Sequence, residues 1–308
     1  MKIAFLFSGQ GAQYPGMMKD LCEAEPAAAE VFAAADRALG RPVSELCFEG
    51  TQEDLNLTHN TQPTVLAADL AAAAVLKAHG IIPDAAAGFS LGEYAALSFA
   101  GVLGQEEAFK LIQIRADAMQ EAVAPGEGAM AAFVGATAEQ VEAICAKVTG
   151  GYVTAANYNS PVQTVVSGSA AGVDEACELA EAEGLRCVKL AVSAPFHCAL
   201  MEPAAMRLKE EFKNIEFAAP QIPVYMNVNG SPAAGADEIP ELLVQQAMSP
   251  VRWVETLRNM QEDGVDTFIE CGPGKTLSGL VKKTLKDVRI FRVENIKTLN
   301  DTLEGLKA

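Results

Sequence analysis

Gly88-Phe89-Ser90-Leu91-Gly92 is the stretch on which the reading of this chain turns. The apolar run Ile81-Ile82-Pro83-Asp84-Ala85-Ala86-Ala87 precedes it, and Glu93-Tyr94-Ala95-Ala96-Leu97, a good helix start, follows. Gly-x-Ser-x-Gly between a strand and a helix is the pattern of a nucleophile elbow, a turn so tight that small residues must flank the serine. The hydroxyl is then held up at a helix N-terminus, where free backbone N–H groups and the positive dipole end can stabilise an oxyanion. A glycine-rich turn with an incidental serine is the plainer alternative, and the strand-turn-helix context favours the nucleophile.

A serine needs a positioned base, most often histidine, and the chain has three. His59 sits in Leu57-Thr58-His59-Asn60, read as a polar loop ahead of a helix containing Leu66 to Leu76. His79, in Lys77-Ala78-His79-Gly80, falls in the last turn of that helix, where it meets the negative dipole end. Both therefore have structural explanations. His197 ends Ala191-Val192-Ser193-Ala194-Pro195-Phe196-His197, just past a predicted strand and before the apolar Cys198-Ala199-Leu200-Met201. A satisfied core histidine is possible there, but with Ser90 in need of a base His197 is the choice.

Gln105 to Val123 reads as an amphipathic helix with Ala108, Leu111, Ile112, Met119 and Ala122 on one stripe. Arg115 falls on that stripe, where a guanidinium is costly unless it meets an anion. Two readings stand open: a structural ion pair with an acid of this chain, or a bidentate site for a substrate carboxylate.

Hydrophobic period gives the organisation. Residues 1–124 alternate strands (Ile3 to Phe7, Ala85 to Gly88) with long alanine-rich helices, an α/β pattern. The pattern breaks at Pro125-Gly126-Glu127-Gly128. Strand Ala129 to Val134, helix Ala138 to Val148, strands Val153 to Asn157 and Gln163 to Ser167, helix Ala171 to Ala182 and strand Arg186 to Val192 follow. That β-α-β-β-α-β order is ferredoxin-like. Strands at Pro223 to Val228 and Thr267 to Glu270 return to α/β. The expected fold is an α/β protein with a hydrolase-like large domain built from 1–124 and 195–308, interrupted by a ferredoxin-like insert over 125–194. The site then belongs in the cleft between them.

Half of the 308 residues are apolar, ample for a buried core. Seven cysteines without C-x-x-C spacing argue for reduced thiols and a cytoplasmic protein, against a disulfide scaffold or metal site. The short apolar run Ile3 to Phe7 reads as a first strand, not a signal peptide, and no stretch approaches a membrane span. A net charge of −17 argues against nucleic acid as a partner. Against that background Lys275, Lys282, Lys283, Lys286, Arg289, Arg292 and Lys297 stand beside only Asp287 and Glu294. This stretch is either a solvated face or a docking surface for an acidic partner. Two glycine clusters are decoys: Gly9-Gln10-Gly11 has Tyr14 where a dinucleotide fingerprint needs glycine, and Gly274-Lys275-Thr276 has Ile269 where a P-loop begins.

The blocks Phe7-Ser8-Gly9-Gln10-Gly11-Ala12-Gln13, Gly88 to Tyr94, Gly128-Ala129-Met130-Ala131-Ala132, Asn157-Tyr158-Asn159-Ser160-Pro161, His197 to Met201 and Glu270 to Leu277 together resemble the malonyl-CoA:acyl carrier protein transacylase family, in order and over nearly the whole chain. The resemblance implies that Ser90 is acylated with His197 as base, that Arg115 holds the malonyl carboxylate, and that the N–H groups of Gln10 and Leu91 form the oxyanion hole. It also implies that the main-chain carbonyl of Gln246 orients the histidine, replacing the carboxylate of a triad. Phe196 would crowd an α-methyl branch on the acyl group, a preference worth about 1–3 kcal/mol. Malonyl-CoA and acyl carrier protein are the implied partners, with the basic stretch as a docking surface, and no metal or bound cofactor is needed. The family usually has histidine before the nucleophile; Phe89 stands there, so any hydrogen bond from that position is absent. An α/β-hydrolase-type thioesterase and a non-catalytic carrier-docking scaffold are the rivals. The first would need an acid between Ser90 and His197 in its triad, yet Asp117 and Asp174 fall on predicted helices.

Overall fold

Alternate side chains of the first strand point to opposite sides of a sheet, and each side is buried. The computed structural model describes residues 1–192 and 194–307; Ser193, within the expected insert, and Ala308 lie outside the described residues. Strands β1 (Ile3–Phe7), β2 (Ala85–Gly88), β3 (Gly128–Val134), β4 (Val153–Ser160), β5 (Gln163–Ser169), β6 (Arg186–Lys189), β7 (Val224–Tyr225), β8 (Thr267–Cys271) and β9 (Arg289–Val293) form two sheets. The first is parallel, in the order β7-β2-β1-β8-β9. Ile3, Phe5 and Phe7 pack with Val65, Leu66 and Ala68 of helix Thr58–Ala78. Ala4 and Leu6 pack on the other side with Trp253, Leu257 and Leu277. Burial on both faces is why these strands read as continuous apolar runs.

The second sheet is antiparallel, in the order β4-β5-β3-β6. Ala131, Phe133 and Val166 form a core with Val141 and Ile144 of helix Ala138–Cys145 and Val173 of helix Ala170–Ala182. Met130, Ala132 and Val165 face the opposite way, against Met119, Phe196 and Met201. The α/β pattern and its interruption were thus legible from periodicity. Among the described residues, no helix is long and apolar enough to cross a membrane.

Several expectations need correction. The strand expected over Pro223 to Val228 is only Val224–Tyr225, because the N–H of Met226 turns to Ser231 O and that of Asn227 to the Glu93 carboxylate. β6 stops at Lys189, short of Val192, whereas β4 continues past Asn157 to Ser160 through two irregularities in its pairing with β5. Strand β9 was hidden in the basic stretch: Arg289 and Arg292 alternate with Ile290, Phe291 and Val293. His59 lies in the first turn of helix Thr58–Ala78, not in a loop. Cys177 and Cys187 are joined in a disulfide, contrary to the expectation of reduced thiols throughout; helix Ala170–Ala182 packs across β6 and brings their Cα atoms to 5.5 Å.

Phe133 is fully buried between the antiparallel sheet and its helices. Phe133→Ala should cost about 3–5 kcal/mol through lost transfer energy and an unfilled cavity. Urea unfolding followed by circular dichroism measures this, and a loss below 1 kcal/mol would contradict the packing described.

Candidate active site

Ser90 sits where β2 passes into helix Gly92–Phe99. A Cβ on Gly88 would lie 1.8 Å from the carbonyl oxygen of Gly92, and one on Gly92 would lie 2.4 and 2.5 Å from the carbonyl oxygens of Phe7 and Ser8. Both positions must therefore be glycine, and the serine between them takes φ 55°, left-handed and costly for a residue with a Cβ. Asn227 holds this turn. Its Oδ1 accepts from Ser90 N at 2.8 Å and its Nδ2 donates to Gly88 O at 2.7 Å. Among the described residues, the N–H groups of Leu91 and Gln10 have no hydrogen-bond partner.

His197 Nε2 lies 2.7 Å from Ser90 Oγ, and Nδ1 lies 2.8 Å from the carbonyl oxygen of Gln246. A carbonyl only accepts, so Nδ1 carries the proton and Nε2 presents its lone pair to the hydroxyl. Burial, and secondly the Arg115 charge, lower the imidazole pKa from 6.5 to about 4; the Gln246 and Ser249 main chain opposes this. The ring is therefore neutral at physiological pH. Gln246 is used three times, since its Nε2 also donates to Ser90 O at 2.7 Å and its Oε1 accepts from Arg115 at 3.0 Å.

Arg115 is 1% exposed, as the helical stripe foretold. Nη1 donates to Gln62 Oε1 at 2.7 Å, and Nη2 reaches Ser90 Oγ at 3.1 Å. The guanidinium stands 5.3 Å from the centre of the Tyr94 ring. These partners are uncharged, and among the described residues Arg115 forms no ion pair. Glu93 is the nearby acid, but its buried carboxyl takes the Asn227 N–H at 2.5 Å. Burial raises its pKa to about 8, outweighing the Asn227 hydrogen bond and the Arg115 charge. Of the two readings open for Arg115, the structural ion pair has no partner here. A buried cation without an ion pair among the described residues remains beside the Ser90 hydroxyl.

These groups open into a cavity of about 230 Å³. The ends of β1, β2 and β8 supply Gln10, Phe89 and Glu270, and the inner face of the antiparallel sheet supplies Met130, Asn157 and Val165. Phe196 lines it next to His197. Phe89 lines it too and packs edge-on against Trp253, with ring centroids 5.3 Å apart. Glu270 accepts the N–H groups of Leu277 and Ser278, capping helix Thr276–Thr284 at the cavity's edge.

His59 lies 3.8 Å from Asp117, and His79 bonds Glu25 at 3.1 Å; neither lines the cavity. The basic stretch is partly committed to structure. Arg292 pairs with Glu294, Arg289 donates to Gly305 O, and Lys297 pairs with Asp301, which leaves Lys275, Lys282, Lys283 and Lys286 exposed on or beside helix Thr276–Thr284. Asn227, Gln62, Tyr94 and Glu93 escaped the sequence reading. The available signal was a single polar residue inside a buried apolar run, as at Asn227 between Met226 and Val228.

Residues 4–300 match the acyl transferase domain family. The malonyl CoA-acyl carrier protein transacylase of Bacillus subtilis is 45% identical, aligned over 99% of this chain and 98% of its own length, and that of Haemophilus influenzae is 42% identical over 99% of each. The crystal structure of the Clostridium perfringens malonyl CoA-acyl carrier protein transacylase superposes with TM-score 0.97 at 43% identity, covering 100% of this chain and 98% of that one. A malonyl-transacylase solved in complex with a type II PKS acyl-carrier protein superposes with TM-score 0.96 at 40% identity, covering 99% and 100%.

A neutral His197 sets a pH window. The reaction of Ser90 with a fluorophosphonate, followed by mass spectrometry, should hold its rate down through pH 6.5 and fall only near pH about 4, where Nε2 takes its proton. Arg115→Ala should move that limb upward. The unfolded chain binds this proton first, so stability from His197 is complete above pH 6.5 and lost as pH falls toward about 4. A reactivity limb near 6.5 in the unmodified protein would contradict the described environment.

Proposed function

The chain belongs to the acyl transferase domain family, and from that premise we propose that it transfers malonyl from malonyl-CoA to the phosphopantetheine thiol of acyl carrier protein through a malonyl-Ser90 intermediate, supplying fatty acid synthesis. The observation that carries this is the buried Arg115 guanidinium, without an ion pair among the described residues and 3.1 Å from the Ser90 hydroxyl. A buried cation there calls for an acyl group with a second, ionised carboxyl.

The steps follow from the distances. His197 Nε2 takes the Ser90 proton as Oγ attacks the thioester carbon, and the oxyanion forms against the N–H groups of Gln10 and Leu91. Neither donor has another partner, which supports that role, whereas the N–H of Ser90 is occupied by Asn227. Collapse of the intermediate expels coenzyme A, whose thiolate takes the proton from His197. Carrier-protein thiol then attacks the malonyl ester, with His197 again as base, and Ser90 leaves with the proton restored. The Gln246 carbonyl keeps the base in one tautomer throughout, the task a carboxylate performs in a triad. That carbonyl at Nδ1, in place of a carboxylate, speaks against the thioesterase reading. Phe196 in the cavity wall would crowd an α-branched acyl group.

The turn at Ser90, with φ 55° between a parallel strand and a helix, supports a nucleophile elbow and a hydrolase-like large domain. The order β4-β5-β3-β6 supports a ferredoxin-like unit over 125–194 between the two parts, 1–124 and 195–308, of that domain. Lys275, Lys282, Lys283 and Lys286 are the docking surface we assign to the acidic carrier protein. We place the reaction in the cytoplasm, where thiol substrates remain reduced.

Brief exposure to malonyl-CoA followed by intact and peptide mass spectrometry should give one malonyl adduct on Ser90. Ser90→Ala should abolish it while retaining the fold, and an adduct that persists or maps to Cys198 would refute the assignment. Arg115→Ala should lower malonyl transfer by about 100-fold, the scale set by losing a buried charge-assisted contact. Acetyl-CoA, which has no carboxylate to lose, should become a much better donor relative to malonyl-CoA. An equal proportional loss with both donors would make Arg115 a structural cation instead.

A further inference from the structure

Asp69 is a buried acid that the chemistry above leaves unused. It lies in the body of helix Thr58–Ala78 with 0% exposure. Among the described residues it forms no ion pair, and its carboxyl lies against Ser8. Its surroundings are the ends of two neighbouring strands of the parallel sheet. A Cβ on Gly272, which follows β8 with φ 116°, would lie 1.9 Å from Asp69 Oδ1 and 2.8 Å from Ser8 Oγ. The carboxyl thus occupies the space that a side chain at Gly272 would take, against Ser8, the residue that follows β1. The Ser8 hydroxyl points to the carbonyl oxygens of Cys271 and Pro273, at 3.4 and 3.3 Å.

An ionised carboxylate in this place would have no counter-charge. Burial holds the Asp69 pKa well above the carboxylate range and the Glu270 charge adds to this, while the Ser8 N–H and hydroxyl act in the opposite sense. The carboxyl is fixed by shape at the junction of β1 and β8. Two residues beyond Ser8 stands Gln10. The segment between is confined on its other side, because a Cβ on Gly9 would lie 2.9 Å from the Phe89 ring. Gln10 itself donates from Nε2 to Thr58 Oγ1 at 3.3 Å, at the start of the helix that carries Asp69. One buried helix thus braces the segment Ser8 to Gln10 at both ends.

We propose that Asp69 is a positioning residue for acyl transfer: wedged beneath Ser8, it fixes the end of β1 and so aims the Gln10 N–H at the developing oxyanion. This rests on the reading of Ser90 and Gln10 given above. Such a role predicts an effect on the transition state with little effect on ground-state binding. Complete loss of an oxyanion donor costs about 100-fold or more in kcat, so a misaimed donor should cost about 10-fold.

The test compares Asp69→Leu, Asp69→Asn and Ser8→Ala with the unmodified protein. Asp69→Leu should lower the rate of Ser90 malonylation about 10-fold with KM for malonyl-CoA nearly constant. Affinity for a boronic acid that forms a tetrahedral adduct on Ser90 should fall by the same factor, and affinity for coenzyme A should not. Asp69→Asn, a neutral isostere, should recover most of the rate. Ser8→Ala should slow malonylation in the same way, with less than additive loss in the Asp69→Leu background. If Asp69→Leu does not fold, Asp69→Asn and Ser8→Ala still decide the matter. An Asn variant as impaired as Asp69→Leu would overturn the wedge role, because asparagine keeps the shape. Unchanged kcat in Asp69→Leu or Ser8→Ala, or boronate and coenzyme A affinities falling together, would overturn the positioning role. Absence of any acyl-enzyme in the unmodified protein would defeat the underlying functional reading instead.

Discussion

Everything at the site depends on how closely the first turn of helix Gly92–Phe99 crosses the end of β1. Gly92 sits so near the carbonyls of Phe7 and Ser8 that a single added methyl carbon would be 2.4 Å from one and 2.5 Å from the other. The chain can make this crossing only by reversing through a left-handed residue, and that residue is Ser90. Left-handed backbone costs of order 1–3 kcal/mol, so the turn survives because its surroundings hold it. Asn227 does so from 137 positions away, taking the Ser90 N–H and giving a hydrogen bond to Gly88. The same crossing brings the end of β1, with its unpartnered Gln10 N–H, beside the turn.

The electrostatics of the site follow from burying one cation with groups that are neutral around it. The Nη1 and Nη2 groups of Arg115 donate to Gln62, Gln246 and Ser90, but among the described residues its Nε has no hydrogen-bond partner and its charge has no ion pair. The exclusion of water, and secondly the field of Arg115, keep His197 neutral, with a pKa of about 4. This makes the imidazole a weaker base than one in water, yet always available in the form that accepts a proton. An incoming carboxylate would neutralise Arg115 and relieve part of that depression, so substrate binding itself would strengthen the base. Glu93, adjacent in sequence to the turn, does not provide that neutralisation internally because burial keeps it protonated up to about pH 8.

Helix Thr58–Ala78 supports both halves of this arrangement. It is buried along nearly all of its length, and three of the polar residues it keeps inside face the site: Thr58 to Gln10, Gln62 to Arg115 and Asp69 to Ser8. Polar groups inside a packed helix are costly unless each finds a use. Here each touches a segment that the reaction needs in one position.

Much of this could be read from the chain alone. Period-2 and helical patterns are carried by windows of about ten residues, so the two kinds of sheet, the Ser90 turn and the core-facing place of Arg115 were all legible. His197 followed by elimination, since the other histidines had local explanations. What escaped depended on partners far away in sequence. Strand β9 was masked because its arginines pair inward with Glu294 and the Gly305 carbonyl, which composition counts as free charge. The strand ending at Tyr225 was overestimated because Asn227 gives its N–H to Glu93 rather than to a neighbouring strand. Whether Arg115 met an acid of its own chain was undecidable from its helix. Only the assembled structure brings Gln62, Tyr94 and Gln246 around it, with no ion pair among the described residues. Sequence determined which residues could do chemistry, because residue type and local spacing fix that. Tertiary structure decided their charge states and partners, because burial and long-range contacts exist only once the chain has closed.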